Sequence, residues 1–134
     1  MNVRYRDGYR FQLAEPFQVA TPITEACPGN HFVGLSLDGM LTIATGYAWD
    51  GASGPIAQDA TIVRGSLVHD ALYQLMRECA LPASWRQPAD SLLRQMLVED
   101  GLHPAMAAVV YRAVRMFGGQ FADPDSCKPI LEAP

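Results

Sequence analysis

Cysteine is scarce in this chain of 134 residues, with three in all. Cys27, Cys79 and Cys127 are odd in number and far apart, and none falls in a CxxC or other zinc spacing. Reduced thiols, buried or incidental, are therefore expected. Long apolar runs are missing too: no stretch approaches the roughly eighteen residues of a membrane span. The N-terminus, Met1 to Arg10, is polar and arginine-containing with no apolar segment behind it, so no secretory signal is expected. Basic charge is thin and scattered, ten Lys and Arg against 14 Asp and Glu for a net charge of −4. That balance gives no electrostatic footprint for nucleic acid. Internal repeats and composition breaks are absent as well.

What is present is a globular composition, 49% hydrophobic and 18% charged, in a length suited to one domain with a core of its own. The first half reads as β. Tyr9–Ala14 and Phe17–Thr21 alternate apolar and polar residues around Glu15-Pro16. Phe32–Leu37 and Met40–Thr45 flank Asp38-Gly39, the strongest hairpin signal in the chain. A glycine-rich loop then runs from Gly46 to Pro55.

The second half reads as three helices. The first spans about Ala60 to Cys79 and stops before Leu81-Pro82. The second starts near Pro88 and ends at Gly101, with a stripe of Ala89, Leu92, Leu93, Met96 and Leu97 at helical spacing. The third runs from His103-Pro104 to Gly118-Gly119 and is apolar at nearly every position from Ala105 to Val114 except Arg112, which makes it either central or covered by a partner chain. The expected organisation is α+β in one domain, a small N-terminal antiparallel sheet packed on a three-helix C-terminal half. Its parts are a β-rich stretch 1–45, a loop 46–59, a helical stretch 60–118 and an irregular tail 119–134.

The chemistry-bearing residues cluster around His69-Asp70-Ala71-Leu72-Tyr73. On a helix His69 and Tyr73 share a face, with Asp70 about a quarter turn away. If the first two helices pack antiparallel across the short connection Leu81–Gln87, Asp90 approaches His69 or Tyr73, and a carboxylate there fixes the imidazole tautomer. Arg86 is a natural bidentate partner for Asp70 or Asp90. The same residues also suit a purely structural polar network that pins the loop to two helices, with Asp50 and Ser53 capping turns. His103 is expected to start a helix, His31 to lie on the surface, and Trp49 and Trp85 to anchor packing.

The segment from Gly46 to Gly118 resembles the phage and prophage family known as domain of unknown function 1353. The residues that carry the likeness are Gly46-Tyr47, Asp50, Ala52-Ser53, Pro55, His69-Asp70, Leu72-Tyr73, Arg86, Ala89-Asp90 and Val114–Gly118, in that order. The resemblance implies a phage or prophage origin, with the protein in the host cytoplasm or the virion, and supplies no activity. More distantly, His-Asp-x-x-Tyr behind a glycine-rich loop is similar to the catalytic helix of phospholipase A2 enzymes. That likeness implies His69 as general base for a water, Asp70 as calcium ligand, Tyr73 and Asp90 as its support, and backbone near Gly51–Gly54 completing the calcium shell. The flanking cysteines of secreted phospholipases are absent, and Asp50 and Ser53 interrupt the loop.

Two further catalytic readings stay open. Ser53, His69 and Asp90 form a possible nucleophilic triad, without a Gly-x-Ser-x-Gly frame. The order His31, His69-Asp70, Asp90 mimics metal phosphohydrolases, although there the first histidine is helical. The functional expectation is a hydrolase using a divalent metal, calcium first and zinc second, on Asp70 and Asp50, acting on a lipid or small ester. The competing expectation is a non-catalytic virion or tail component or assembly factor that meets other phage virion subunits, or a second copy, through the apolar third helix. A small phage protein that binds and disables a host factor is a further alternative.

Overall fold

A computed structural model describes residues 3, 5–6, 11–27, 29–49, 51, 60–78 and 80–123. Asp50, Ser53, Pro55, Cys79 and Cys127, with most of the glycine-rich loop and the tail from 124 onward, lie outside the described residues. The architecture is α+β, with an antiparallel β region before a helical half.

The β region is two small sheets where one was expected. β1 (Tyr5–Arg6), β2 (Phe11–Leu13) and β6 (Ala48–Trp49) form one, in the order β1-β2-β6. β3 (Phe17–Ala20), β4 (Val33–Leu35) and β5 (Met40–Ile43) form the other, in the order β3-β5-β4. The chain therefore switches sheets at Glu15-Pro16, where the sequence marks a break. Alternation sends Phe11 and Leu13, then Val33 and Leu35, then Leu41 and Ile43, into the core. The expected loop from Gly46 begins instead with β6. Phe11 pairs with Trp49, and backbone bonds join Leu13 to Tyr47 and Gly46 at 2.7 Å each.

The hairpin between β4 and β5 forms, with its turn one residue earlier than Asp38-Gly39 suggested. The register Val33↔Ile43 and Leu35↔Leu41 leaves Leu37, Asp38 and Gly39 as a three-residue loop. The Gly39 amide bonds the Ser36 carbonyl at 3.0 Å, and Gly39 itself takes φ +89°. A three-residue loop closed by a left-handed glycine is a common hairpin connection. Ser36 hydroxyl contacts to Asp38 and to the Met40 amide hold it. Leu37, read as the end of a strand, is left 69% exposed in the turn.

In the helical half, a 3-10 turn over Ala60–Ile62 leads into α1 (Val63–Arg77), and another over Ala83–Trp85 leads into α2 (Arg86–Glu99). α3 (Pro104–Phe117) starts as expected, with His103 Nδ1 accepting from the Ala105 amide at 3.0 Å and Pro104 in the first turn. A short α4 (Gly119–Ala122) occupies the start of the tail read as irregular.

α1 is the central helix. Eleven of its fifteen residues are buried, and only Arg64, Asp70, Gln74 and Arg77 reach solvent in part. α2 lays its whole predicted stripe against it: Ala89, Leu92, Leu93, Met96 and Leu97 are all buried. Gly65 permits the close approach, since a Cβ there would sit 3.2 Å from Leu93 Cδ1. α3 is not central: of its fourteen residues only Ala107 is buried. The β region is joined to the central helix by Trp49, 4% exposed, whose indole N–H donates to Ser66 Oγ at 3.0 Å. Phe11 stacks on the same indole with ring centres 5.3 Å apart. Asn30 adds a bond to Glu78 at 2.7 Å.

Candidate functional site

The short antiparallel connection between α1 and α2 brings the predicted residues together. His69 and Tyr73, one helical turn apart on α1, present rings with centres 4.1 Å apart. Asp90, in the first turns of α2, meets both: His69 Nε2 lies 2.7 Å from its Oδ1, and the Tyr73 hydroxyl donates to the same oxygen at 2.6 Å. Asp90 is fully sealed, with no exposed surface.

A carboxylate in that position needs compensation, because burial disfavours its charged form. Burial pushes the Asp90 pKa up, but hydrogen bonds from His69, Tyr73 and Arg115 outweigh it and hold the group below the usual carboxylate range. Arg115, from the end of α3, donates through Nη1 to Asp90 Oδ2 at 2.9 Å. Sequence reasoning gave Arg115 no role, although it stands inside the Val114–Gly118 stretch that carries part of the family resemblance.

Arg86 forms the expected ion pair with Asp90, but not a bidentate one. Its Nε lies 3.9 Å from Asp90 Oδ2, too far for a hydrogen bond. Its bonds run instead from Nε to the Tyr73 hydroxyl at 3.0 Å, and from Nη2 to the carbonyls of Val114 and Arg115 at 2.5 and 2.8 Å. The guanidinium thus adds to the cap at the C-terminal end of α3, where the Val114 carbonyl also accepts from the Gly118 amide at 2.8 Å. The Tyr73 phenol is pushed well above its ordinary pKa by burial and then by the Asp90 charge, so it stays a neutral donor.

The other side of the imidazole is different. His69 Nδ1 faces Asp70, 4.0 Å from its Oδ1, and the Asp70 side chain is 37% exposed. Buried Tyr47 lies nearby, its phenol pKa raised by burial first and by the Asp70 charge next. Since Asp90 is ionised, Nε2 carries the proton of a neutral His69 and Nδ1 carries the lone pair. The arrangement is an imidazole with one nitrogen clamped by a sealed carboxylate and the other turned toward a half-exposed one. Such a group is oriented for proton transfer at Nδ1. Among the described residues no buried side-chain nitrogen or oxygen lacks a hydrogen-bond partner, so the clamp itself is complete.

Asp50 and Ser53 fall outside the described residues, and with them the second expected metal ligand and the serine of the triad reading. Among the described residues no group of three or more His, Cys, Asp and Glu side chains converges. Asp70 alone falls well short of the six to eight oxygens of calcium, so the described residues by themselves do not fit a calcium shell. His31 is exposed on the loop before β4. An open groove of about 480 Å³ between α2 and α3, lined by Ser91, Arg94, Gln95, Val98, Glu99 and Tyr111, contains none of the predicted site residues. Among the described residues no helix is long and apolar enough to cross a membrane. No family model, curated protein or solved structure matches the chain.

Proposed function

We propose that the chain is a phage- or prophage-encoded hydrolase in which His69 is the general base. The observation that carries this reading is the 2.7 Å contact of His69 Nε2 with fully buried Asp90, which leaves Nδ1 on the side of Asp70. In the proposed reaction Nδ1 takes a proton from water as the water oxygen attacks an ester carbonyl. Asp90, held ionised by Tyr73 and Arg115, stabilises the imidazolium that forms. Nδ1 then returns the proton to the departing alkoxide, giving an acid and an alcohol. His69 is the catalytic residue, Asp90 and Tyr73 position it, and the substrate class is a lipid or small carboxylic ester. The proposal extends to a divalent cation, calcium before zinc, shared by Asp70 and Asp50.

Turnover of a panel of short-chain and phospholipid esters by the purified chain, with His69→Ala as control, tests the reading. Loss of a general base lowers the rate by about 10²- to 10⁴-fold; equal rates for wild type and variant would remove His69 from the chemistry. The cation is tested separately by melting: a bound ion raises Tm because it binds the folded state, and no shift with calcium or zinc would strike it from the proposal.

A second reading is favoured by the completeness of the clamp. Asp90 of α2 accepts from two donors on α1 and one on α3 and is sealed from solvent, as in a network whose role is to hold α1, α2 and α3 together. On that reading the chain is a virion or tail component or assembly factor, in the host cytoplasm or the virion, that meets other phage subunits or a second copy through α3. Particles that stay infectious with His69→Ala but fail to assemble when residues 123–134 are deleted would favour it over hydrolysis.

A further inference from the structure

α3 is turned inside out. Its inward side carries Ala107, Val110 and Val114 together with Tyr111 and Arg115, which bonds the sealed Asp90. Its outward side, at successive steps of three or four residues, carries Met106 (41% exposed), Val109 (58%), Ala113 and Met116 (73%), continued by Phe117 (66%) and by Phe121 (55%) of α4. That stripe holds no hydrogen-bonding side chain; Arg112 stands exposed at its edge.

Two observations limit what can cover it. First, residues 102–122 include two arginines and not one carboxylate, in a chain with 14 acidic residues against ten basic ones. Arg115 is neutralised by Asp90, so the uncompensated charge of this segment is that of exposed Arg112. Second, hydrogen bonds orient the stripe outward. Arg115 is tied to Asp90, Arg86 to the Val114 and Arg115 carbonyls, and Arg77 to the Phe121 carbonyl at 2.8 Å. These bonds prevent α3 from rolling its apolar side into the core.

We infer that this face docks on an anionic lipid surface. A helix lying in a membrane interface needs an apolar stripe without polar groups and a cation beside it for the headgroups, and the α3–α4 face supplies the stripe and, at its edge, Arg112. A second copy is the weaker occupant, since two such faces set against each other would bring one Arg112 toward the other with no carboxylate of residues 102–122 between them. The proposal does not rest on hydrolysis at His69.

Co-sedimentation of the full chain with phosphatidylcholine vesicles, with and without phosphatidylglycerol, tests it. Wild type is expected to pellet with the phosphatidylglycerol vesicles and to bind the neutral ones several-fold less. The double variant Val109→Glu with Met116→Glu should lose about tenfold or more of that binding, and Arg112→Gln about fivefold. Both changes are at exposed positions, so melting curves should be unchanged. His69→Ala should bind vesicles like wild type, which separates this surface from the proposed catalytic site. Wild type left in the supernatant with both vesicle types would overturn the inference. So would a dimer in light scattering that the double variant splits while vesicle binding is absent, a result that would give the face to a second copy.

Discussion

The two faces of the helical half follow opposite rules. Between α1 and α2, apolar side chains are buried and the single buried carboxylate has its full complement of donors. On α3 an arginine points in while methionine, valine and phenylalanine point out. The α1–α2 seam has the order of a core whose stability comes from within the chain. The outer face of α3 has no such internal reason, since leaving Met116 and Phe117 in water forgoes roughly 1.5–3 kcal/mol of burial each. The contrast separates residues that make the fold from residues offered to something else, and substitutions on the two sides should differ sharply.

The largest effect is expected at Asp90. Asp90→Ala leaves Arg115 and His69 around an empty acceptor and should cost about 3–5 kcal/mol in urea denaturation. Its acid dependence has a definite sign. The folded pKa lies below the unfolded value of about 3.9, so the stabilisation is present above that value and is lost as pH falls through the folded pKa. Asp90→Asn should flatten the acid limb of a stability–pH curve below about pH 4; an unchanged limb would show that Asp90 is not the titrating group.

Arg115→Met keeps the length of the side chain but removes one donor from Asp90, for an expected loss of about 1–3 kcal/mol. A loss as large as that of Asp90→Ala would mean that His69 and Tyr73 contribute little to holding the carboxylate. Trp49→Phe removes the bond to Ser66 while keeping most of the ring packing, and should cost about 1 kcal/mol from the hydrogen bond, visible as a lower denaturation midpoint. At the bottom of the scale, Val109→Glu on the outer face should change stability by no more than about 0.5 kcal/mol. A cost of several kcal/mol there would show that the face is packed in the isolated chain and would erase the contrast.

The helical seam was legible in the sequence because its period is long and strict. The stripe from Ala89 to Leu97 is inward as its spacing demands, and a short connection forces α1 and α2 antiparallel, which is enough to bring Asp90 to His69 and Tyr73. Two-residue strands such as β1 and β6 carry no period to read, so the second sheet was invisible. The hairpin turn was misplaced by one residue because Asp-Gly favours two turn geometries, and the Ser36 contacts with Asp38 and Met40 decide between them. Arg115 was hidden for a third reason. It lies 25 residues from Asp90, and which side of α3 faces inward cannot be taken from a helix that is apolar nearly all round. The rotation of α3 is set by its polar residues, which an apolar period does not register.

The cap that Arg86 places on the Val114 and Arg115 carbonyls gives α3 an unusual kind of attachment. Ala107 is buried and Val110 and Val114 pack part-buried against the core, and peeling α3 away would also strip Asp90 of Arg115 while His69 and Tyr73 remain. Its local unfolding therefore carries a charge contribution beside that of surface burial. In amide hydrogen exchange, α3 should keep protection near neutral pH out of proportion to its contacts. Acid that protonates Asp90 should release it ahead of α1 and α2, giving a state in which the central pair persists and the outer helix is loose.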